Sequence, residues 1–259
     1  MNDSVDIPIF SEKIFSEKLS EYVLIIPVIN EGEKIRRQIS KINDKNFNVD
    51  VVIADGGSTD GSLEHIYIKT KNVRALLTKN DTGNLSTQLR IAYYWSLKQG
   101  YKGIITIDGN GKDDVNHIND MKLKLNEGFD YIQGSRYTKG GVSKNTPLDR
   151  VFGNRIIHAP LLSFVSGFRY SDTTNGFRAY SKRFLLHPKV KPFRKIFKNY
   201  ELLFYLTIRA PQLDFNVCEI PVTRKYPKNQ KTPTKIKGIF SRFQIFKETI
   251  MVSFGFYNP

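Results

Sequence analysis

The stretch Tyr22-Val-Leu-Ile-Ile-Pro-Val28 is a short apolar run, and a second run, Val49-Asp-Val-Val-Ile-Ala54, follows it after a segment of different pattern. Further runs of this kind occur at residues 73–77, 103–107 and 129–133. Apolar positions recur with helical spacing in the intervening segments, residues 31–42, 60–70, 83–98 and 113–126. This alternation predicts an α/β protein whose mostly parallel sheet is flanked by helices.

Polar turns follow three of the predicted strands, at residues 27–32, 55–61 and 108–114, and all three are rich in Asp, Asn, Glu and Gly. In parallel sheets of this type, ligands bind beyond the carboxyl ends of the strands. The three turns are therefore expected to form one site for a nucleotide, a sugar or a cation.

The composition limits the class of partner. The 259 residues include 40 Lys and Arg against 25 Asp and Glu, which gives a net charge of +15, and 40% of the residues are hydrophobic. Such a chain is expected to fold around a real core and to attract a polyanion: nucleic acid, an anionic membrane surface or a phosphate-bearing substrate. Cys218 is the only cysteine, so a cytoplasmic location is expected. Neither a signal peptide nor a membrane span is predicted.

Asp55 begins the turn Asp55-Gly-Gly-Ser-Thr-Asp-Gly61. A carboxylate at a strand end can accept hydrogen bonds from a base or a ribose, and the glycines allow the backbone to approach a ligand closely. A tight turn with a helix cap from Ser58 or Asp60 would explain the same residues.

Three carboxylates lie within the turn Asp108-Gly-Asn-Gly-Lys-Asp-Asp114. Hard oxygen ligands of this kind could hold Mg²⁺ or Mn²⁺ and so neutralise a diphosphate. Alternatively, Asp113 and Asp114 could simply favour the positive end of the next helix. The pair Gly111-Lys112 is not a P-loop, because Asp113 follows the lysine where Ser or Thr is required.

Six motifs in this order resemble family 2 glycosyltransferases, and most of all the branch that contains dolichol-phosphate mannose synthase. The motifs are Ile26-Pro-Val-Ile-Asn-Glu31, Ala54-Asp-Gly-Gly-Ser-Thr-Asp-Gly-Ser62, Ile107-Asp-Gly-Asn110, Gly134-Ser-Arg-Tyr137, Arg150 with Asn154, and Asp172-Thr-Thr-Asn-Gly-Phe-Arg178. The resemblance covers roughly residues 20–225. It implies a GT-A fold, a nucleotide-sugar donor, a divalent cation and an inverting displacement.

The resemblance also implies site residues. The nucleotide would contact Pro27, Val28, Glu31, Asp55 and Asp108. The acceptor phosphate would contact Arg136, Arg150 and Asn154. Lys112 and Arg178 are further candidates for phosphate or acceptor binding, because their side chains are cationic donors. Mg²⁺ or Mn²⁺ would be held by Asp108 and Asn110.

The chain departs from the family pattern around the metal motif. Gly56 replaces a second Asp in the first acidic turn, and Asn110 replaces the second acid of the Asp-x-Asp motif. Lys112 stands where the branch commonly has a neutral metal ligand. An ammonium group cannot bind a cation, although it can contact a phosphate.

Asp172 is the first candidate for a catalytic base and Glu201 is the second. A sugar hydroxyl as acceptor would need a carboxylate to take its proton, whereas a phosphate acceptor is already ionised. In the latter case, positioning and charge stabilisation of the leaving diphosphate would suffice.

Apolar residues recur with helical spacing near the C-terminus among basic ones. The apolar positions are Ile236, Ile239, Phe240, Phe243, Phe246, Ile250 and Phe254. We therefore divide the chain into a GT-A domain, residues 1–225, and a basic amphipathic segment, residues 226–259. The segment could lie on an anionic membrane or dock on the sheet.

These observations predict a cytoplasmic, peripheral glycosyltransferase that moves one sugar to a lipid-linked (polyprenyl-phosphate) or glycan acceptor in cell-surface polysaccharide or glycolipid synthesis. Two alternatives stay open. A sugar nucleotidyltransferase would share the sheet, but residues 27–32 contain one Gly and no Arg. A basic nucleic-acid-binding protein would fit the charge, but no recognised binding motif supports it, and no nucleic-acid partner is expected.

Overall fold

The computed structural model describes residues 5–228 and 238–259, with the backbone alone for Ile66 and residues 238–242. The strands are β1 (Phe10–Ile14), β2 (Tyr22–Val28), β3 (Asp50–Asp55), β4 (Val73–Lys79), β5 (Gly103–Thr106), β6 (Tyr131–Ser135), β7 (Val142–Lys144), β8 (Arg178–Ser181), β9 (Val217–Pro221) and β10 (Thr223–Lys225). The helices are α1 (Glu33–Lys45), α2 (His65–Lys69), α3 (Leu85–Lys98), α4 (Ile118–Asn126), α5 (Leu148–Phe152), α6 (Ala159–Ser166), α7 (Lys182–Leu185), α8 (Glu201–Gln212) and α9 (Gly238–Ser253).

Eight strands form one sheet in the order β1-β4-β3-β2-β5-β8-β6-β9. The pairs β2–β3, β3–β4, β2–β5 and β6–β9 are parallel, which confirms the predicted sheet class. β8 runs antiparallel between β5 and β6, with Arg178 opposite Thr106 and Gln133. The loop that precedes β8 therefore reaches the same edge of the sheet as the carboxyl ends of the parallel strands.

Helices cover both faces of the sheet. On one face, α1, α2 and α4 bury aliphatic side chains such as Ile39, Ile68 and Met121. On the other face, α3, α6, α8 and α9 enclose a core rich in aromatic side chains, including Tyr93 and Tyr205. Removing this much apolar surface from water is the main stabilising term of the fold.

The five predicted strands agree with β2 to β6, because each is a buried apolar run. β1 is an edge strand in which four of the five side chains are exposed, so no apolar pattern marks it. β7 and β10 form a separate two-stranded parallel sheet, in which Arg224 lies opposite Ser143.

The chain from residue 148 to residue 166 is helical throughout. Between α5 and α6 lies a π-helical stretch, Gly153–His158. π-Helical turns are rare and are frequent at functional sites. This one contributes Asn154, Ile157 and His158 to the cleft described below.

The helix α9 packs against α8 and α6 through a face that includes Glu248, Thr249 and Val252. Phe243, on its exposed side, and Phe254, directly after its end, are 64% and 76% exposed. Residues 229–237 of the predicted amphipathic segment lie outside the described part of the chain. Within residues 5–228 and 238–259, every helix falls short of the length and apolar content needed to cross a membrane.

Candidate active site

The carboxyl ends of β2, β3 and β5 open into a cleft of about 730 Å³. Val28 and Asp55 are paired in register at neighbouring strand ends, and the Gly109 N–H donates to the Pro27 carbonyl at 3.3 Å. The predicted nucleotide residues Pro27, Val28, Glu31 and Asp108 all line the cleft. Asp55 lies behind the lining residue Gly56. The three polar turns thus meet at one site, as the sequence predicts.

Hydrogen bonds join the first two turns. Asp60 Oδ2 accepts the Gly32 N–H at 2.8 Å, and Asn30 Oδ1 accepts the Thr59 N–H at 2.7 Å. Asp55 Oδ1 accepts from both the backbone and the hydroxyl of Ser58, at 2.9 and 2.7 Å. Asp55 and Asp60 therefore shape the turns, which agrees with the tight turn of the structural alternative. The helix cap of that alternative is wrong, because α2 begins only at His65 and neither Ser58 nor Asp60 caps it. A ligand contact for Asp55 stays a prediction.

Two glutamines that the sequence analysis did not single out support these turns. The Gln88 side-chain amide, on α3, donates to the carbonyls of Val28 and Ala54, at 2.9 and 3.1 Å. Gln38, on α1, donates to the Asp108 carbonyl at 3.1 Å and accepts the Gly111 N–H at 3.0 Å. Helical periodicity indicates only that these positions face inward, so only the fold reveals their partners.

Asp108 is in contact with the loop that precedes β8. A Cβ atom built on Gly176 would lie 2.3 Å from Asp108 Oδ1, a distance that non-bonded atoms do not reach. Gly176 therefore allows this loop to pass directly over the carboxylate.

Arg224 joins two carboxylates of the third turn. Its guanidinium donates to Asp108 Oδ2 at 2.8 Å and also forms an ion pair with Asp113. Burial alone would raise the pKa of Asp108, but the charges of Arg224 and Lys112 hold this pKa below its usual value. Burial raises the pKa of Asp113, and Arg224 offsets this only in part. No sequence motif singles out Arg224.

Three cations surround the ring of Tyr226. Lys112 Nζ lies 5.0 Å from the ring centroid, and the guanidinium carbons of Arg150 and Arg224 lie at 5.7 and 5.8 Å. Burial, followed by the charge of Arg224, lowers the pKa of Lys112 to about 8. Burial opposes ionisation of Tyr226, but Arg224 and Lys112 lower its pKa overall. All four side chains line the cleft, which is therefore electropositive here.

Arg136 and Asp172 form a buried ion pair. Arg136 Nε and Nη2 donate to the two carboxylate oxygens at 2.6 and 2.9 Å, and Nη2 also donates to Thr174 Oγ1 at 2.9 Å. Although burial acts in the opposite direction, Asp172 raises the pKa of Arg136. Arg136 lines the cleft, whereas Asp172 is fully buried behind it. Both oxygens of Asp172 are engaged, which is unfavourable for a base.

Glu201 begins α8 and lies behind the cleft wall. Its carboxylate accepts the backbone N–H groups of Lys198, at 3.2 Å, and Asn199, at 2.5 Å. The neighbouring residues Tyr200 and Leu203 line the cleft, but Glu201 does not. These contacts are those of a residue that holds the turn before α8. A catalytic role for Glu201 stays a prediction with no contact in its favour.

Asn154 and Arg178, both predicted to bind the acceptor, also organise the loop before β8. Asn154 Oδ1 accepts the Thr173 N–H at 3.1 Å. Arg178 donates to the carbonyls of Thr173 and Leu203, each at 2.7 Å. Both line the cleft, so these hydrogen bonds fix the part of the wall that the two residues form. Binding of an acceptor by Asn154 and Arg178 stays a prediction.

The far end of the cleft is apolar. It is lined by Ile157, Leu203, Phe204, Phe243 and Phe246, which come from the π-helical stretch, α8 and α9. Phe243 and Phe246 are 64% and 39% exposed. The cleft therefore combines polar turns, the cations at Tyr226 and an apolar part of its lining.

The residues assigned to a metal by family resemblance do not fit a divalent cation. Asp108 Oδ2 already accepts from Arg224, and the side-chain oxygen of Asn110 accepts the Lys112 N–H at 3.3 Å. The next side chain that could serve is the ammonium of Lys112, which repels cations. Within the described ranges, no group of three or more His, Cys, Asp or Glu residues is arranged to hold a metal ion.

A mixed sheet with acidic turns at its parallel strand ends and a cationic, partly apolar cleft defines a nucleotide-sugar-dependent glycosyltransferase of the GT-A fold. The profile of Glycosyl transferase family 2 matches residues 23–187. The chain belongs to this family. Membership decides against the two alternatives left open above, a nucleotidyltransferase and a nucleic-acid-binding protein.

Two characterised relatives align over most of the chain. Polyprenol monophosphomannose synthase of Mycolicibacterium smegmatis is 25% identical over 228 residues, which is 87% of this chain and 84% of the relative. The UDP-N-acetylglucosamine–dolichyl-phosphate N-acetylglucosaminyltransferase of Methanococcus voltae is 25% identical over 254 residues, covering 90% of this chain and 96% of the relative.

The fold is also similar to a solved structure. Glucosyl-3-phosphoglycerate synthase from Mycobacterium tuberculosis, in complex with Mn²⁺, UDP-glucose and phosphoglyceric acid, superimposes with a TM-score of 0.59 at 16% identity. The alignment covers 89% of this chain and 77% of that protein. This similarity confirms the predicted GT-A fold.

Proposed function

We propose that this glycosyltransferase moves one sugar from a nucleoside diphosphate to a polyprenyl phosphate. The observation that carries the proposal is the cluster of Lys112, Arg150 and Arg224 at Tyr226, next to the apolar end of the cleft. The cations would bind the phosphate of the acceptor, and the apolar side chains would bind its hydrocarbon chain. The names of the two relatives, which refer to polyprenol and dolichyl phosphate, support the same acceptor class.

The donor would bind at the polar turns, with the base near Pro27, Glu31 and Asp55 and the diphosphate near Asp108 and Lys112. Arg136, Arg150, Asn154 and Arg178 would lie on the acceptor side. An oxygen of the acceptor phosphate would form the new bond to the anomeric carbon of the sugar. The bond from that carbon to the diphosphate breaks, and the electron pair leaves with the nucleoside diphosphate. An attack from the opposite side would invert the configuration.

A phosphate acceptor also explains why the cleft needs no proton acceptor. The phosphate is ionised at neutral pH, so no hydroxyl proton has to be removed. Both predicted bases, Asp172 and Glu201, are held by other groups behind the wall. Catalysis would rest on positioning and on stabilisation of the diphosphate charge.

Peripheral contact with an anionic membrane would bring the enzyme to its acceptor. Phe152 and Ile156 add to the exposed apolar surface of Phe243 and Phe246, and the chain carries a net charge of +15. An amphipathic surface of this kind binds the membrane interface without spanning it. We place the enzyme on the cytoplasmic face of the cell membrane, in surface polysaccharide or glycolipid synthesis.

The solved relative with Mn²⁺ and UDP-glucose supports a divalent cation as a general feature of this fold class. For this chain, Mg²⁺ or Mn²⁺ stays a prediction that the donor set around Asp108 does not favour.

The test is a transfer assay with a panel of UDP-, GDP-, CDP- and dTDP-sugars and a short-chain polyprenyl phosphate in detergent. We expect one donor to give a lipid-linked product, and the unphosphorylated polyprenol to give none. Arg150→Gln should raise the KM for the lipid phosphate about tenfold or more, while Arg169→Gln, a change at an exposed arginine that does not line the cleft, should not. Equal transfer to polyprenol would contradict the proposal.

A further inference from the structure

We propose that Lys112 and Arg224 supply the positive charge that neutralises the leaving diphosphate, in the role that a divalent cation has in other enzymes of this fold. The inference rests on the donor half of the proposed function and not on the identity of the acceptor. It makes Lys112 and Arg224 catalytic residues and predicts sugar transfer without a metal ion.

The backbone holds the two cations side by side. The Lys225 N–H donates to the Lys112 carbonyl at 2.8 Å, and the Asp114 N–H donates to the Thr223 carbonyl at 2.9 Å. These bonds join the third turn to β10, directly on either side of Arg224. Lys112 and Arg224 thus face the same ring, that of Tyr226. A flexible surface lysine would not be fixed in this way.

Asp108 and Asp113 orient the guanidinium of Arg224. Because both carboxylates bind this guanidinium, they do not form an open acidic site. Arg224 donates to Asp108 Oδ2 from one nitrogen and contacts Asp113 from the other. Asp108 and Asp113 offset part of the positive charge, but Lys112, Arg224 and the neighbouring Arg150 are three cations against two carboxylates, so this part of the site keeps a net positive charge. A diphosphate that gains negative charge during transfer would then meet two preorganised cations in a largely buried site.

The same arrangement disfavours a metal ion. A divalent cation near Asp108 would have to displace Arg224 from its carboxylate and approach the ammonium of Lys112. The charge of the metal would be added where two positive charges already lie. Lys112 stands where the related branch commonly has a neutral metal ligand. This replacement is expected if the side chains of the protein, and not a metal ion, supply the positive charge.

The transfer step balances without a further reactant. The acceptor oxygen forms its bond to the anomeric carbon, and the bond from that carbon to the diphosphate oxygen breaks. The electron pair remains on the diphosphate, next to the Lys112 ammonium and the Arg224 guanidinium. The products are the glycosylated acceptor and a nucleoside diphosphate.

The first experiment measures nucleoside diphosphate release in EDTA and in Mg²⁺ or Mn²⁺. We expect rates that agree within about twofold. A tenfold or larger loss in EDTA that Mn²⁺ restores would overturn the proposal. Release by donor hydrolysis can be followed when no lipid acceptor is present, so failure of the acceptor assignment does not affect this result.

The second experiment uses Lys112→Gln, which replaces the ammonium with a neutral amide. Turnover in EDTA should fall about a hundredfold, and the variant should bind Mn²⁺ in the presence of UDP or GDP, as measured by electron paramagnetic resonance. Lys112→Arg keeps the charge and should retain turnover that is resistant to EDTA. Lys41→Gln, on the exposed face of α1, is the matched control and should behave as the parent protein does.

The binding measurement also separates a structural role from a catalytic one. If the parent protein and Lys112→Gln bind Mn²⁺ equally well with the nucleoside diphosphate, Lys112 does not exclude the metal and the proposal fails. Circular dichroism of each variant verifies that the fold is retained, and loss of the fold in Lys112→Gln leaves the EDTA result on the parent protein as the deciding test.

Discussion

At the scale of the residue, the site is defined by which partners the charged groups have. Sequence motifs located Asp108, Lys112 and Arg136 correctly on one cleft. They could not show that Asp172 is bound to Arg136, because the two lie 36 positions apart and meet only through the fold. The sequence also does not reveal the role of Arg224, because this residue meets Asp108 and Asp113 only through the fold.

Gly176 allows a test at this scale. In Gly176→Ala, the new Cβ would meet Asp108 Oδ1 at 2.3 Å, so either the carboxylate or the loop must move. We expect turnover to fall about tenfold or more, with a modest loss of stability, because movement of a charged group at the reacting centre is costly. Steady-state kinetics and thermal unfolding measure the two effects.

The matched control is Gly153→Ala. Gly153 also lines the cleft, but its Cβ would meet nothing within 4 Å. Alanine in a helical position is about 0.5–1 kcal/mol more favourable than glycine, so this variant should be slightly more stable and should turn over normally. Equal losses in the two variants would mean that any added methyl group disturbs the cleft.

At the scale of the element, buried strands could be predicted and exposed or short ones could not. The apolar runs of β2 to β6 are continuous because both faces of these strands are covered. β1 has a mainly exposed pattern, and β10 has only three residues, so neither has a periodicity to detect. The π-helical stretch could not be predicted either, because its side-chain pattern is that of an ordinary helix.

The contact of the π-helical stretch with α8 and α9 should depend on pH. His158 stacks on Phe204 at a centroid distance of 5.6 Å, and its Nδ1 atom lies 3.2 Å from the Thr249 hydroxyl. Burial lowers the pKa of His158 to about 4. The unfolded chain therefore takes up the proton more readily, with an ordinary pKa of about 6.5. Stability should be complete above pH ~6.5 and should decline as the pH falls towards 4.

The size of this effect is about 3 kcal/mol at most, since one pKa unit corresponds to about 1.4 kcal/mol. Urea unfolding at pH 7 and at pH 4.5 measures it, with His158→Asn as the reference. Many carboxylates also titrate in this range, so the relevant quantity is the difference between the two proteins. If the free energy of unfolding falls by the same amount between pH 7 and pH 4.5 in both proteins, the pH dependence does not come from His158.

At the scale of the whole molecule, charge and apolar surface act together. The net charge of +15 was evident from the sequence, but the position of the apolar surface required the structure. The sequence left docking and membrane contact as alternatives for the C-terminal helix. In α9, Glu248 and Thr249 are buried while Phe243 is exposed, so the helix docks through one face, although on α8 and α6 and not on the sheet as predicted. Membrane contact stays a proposal.

Vesicle binding tests that proposal. The double variant Phe243→Ser and Phe246→Ser should reduce sedimentation with anionic vesicles about tenfold, because two aromatic side chains no longer enter the interface. Higher salt should weaken binding of both proteins, since the remaining attraction is electrostatic. Leu123→Ser, at a residue of α4 that is 54% exposed, should leave binding unchanged.

The reversed strand β8 closes a segment of the chain that begins after β6, and the predicted donor and acceptor residues lie on different sides of β6. Everything predicted to hold the donor comes from the part of the chain up to Lys112, with the exception of Arg224. Nearly everything predicted to receive the acceptor comes from the segment between β6 and the first residue of β8. A chimaera that exchanged residues 136–178 for those of a relative would therefore be expected to change which molecule is glycosylated while keeping the same sugar, provided that the glycine at position 176 is retained.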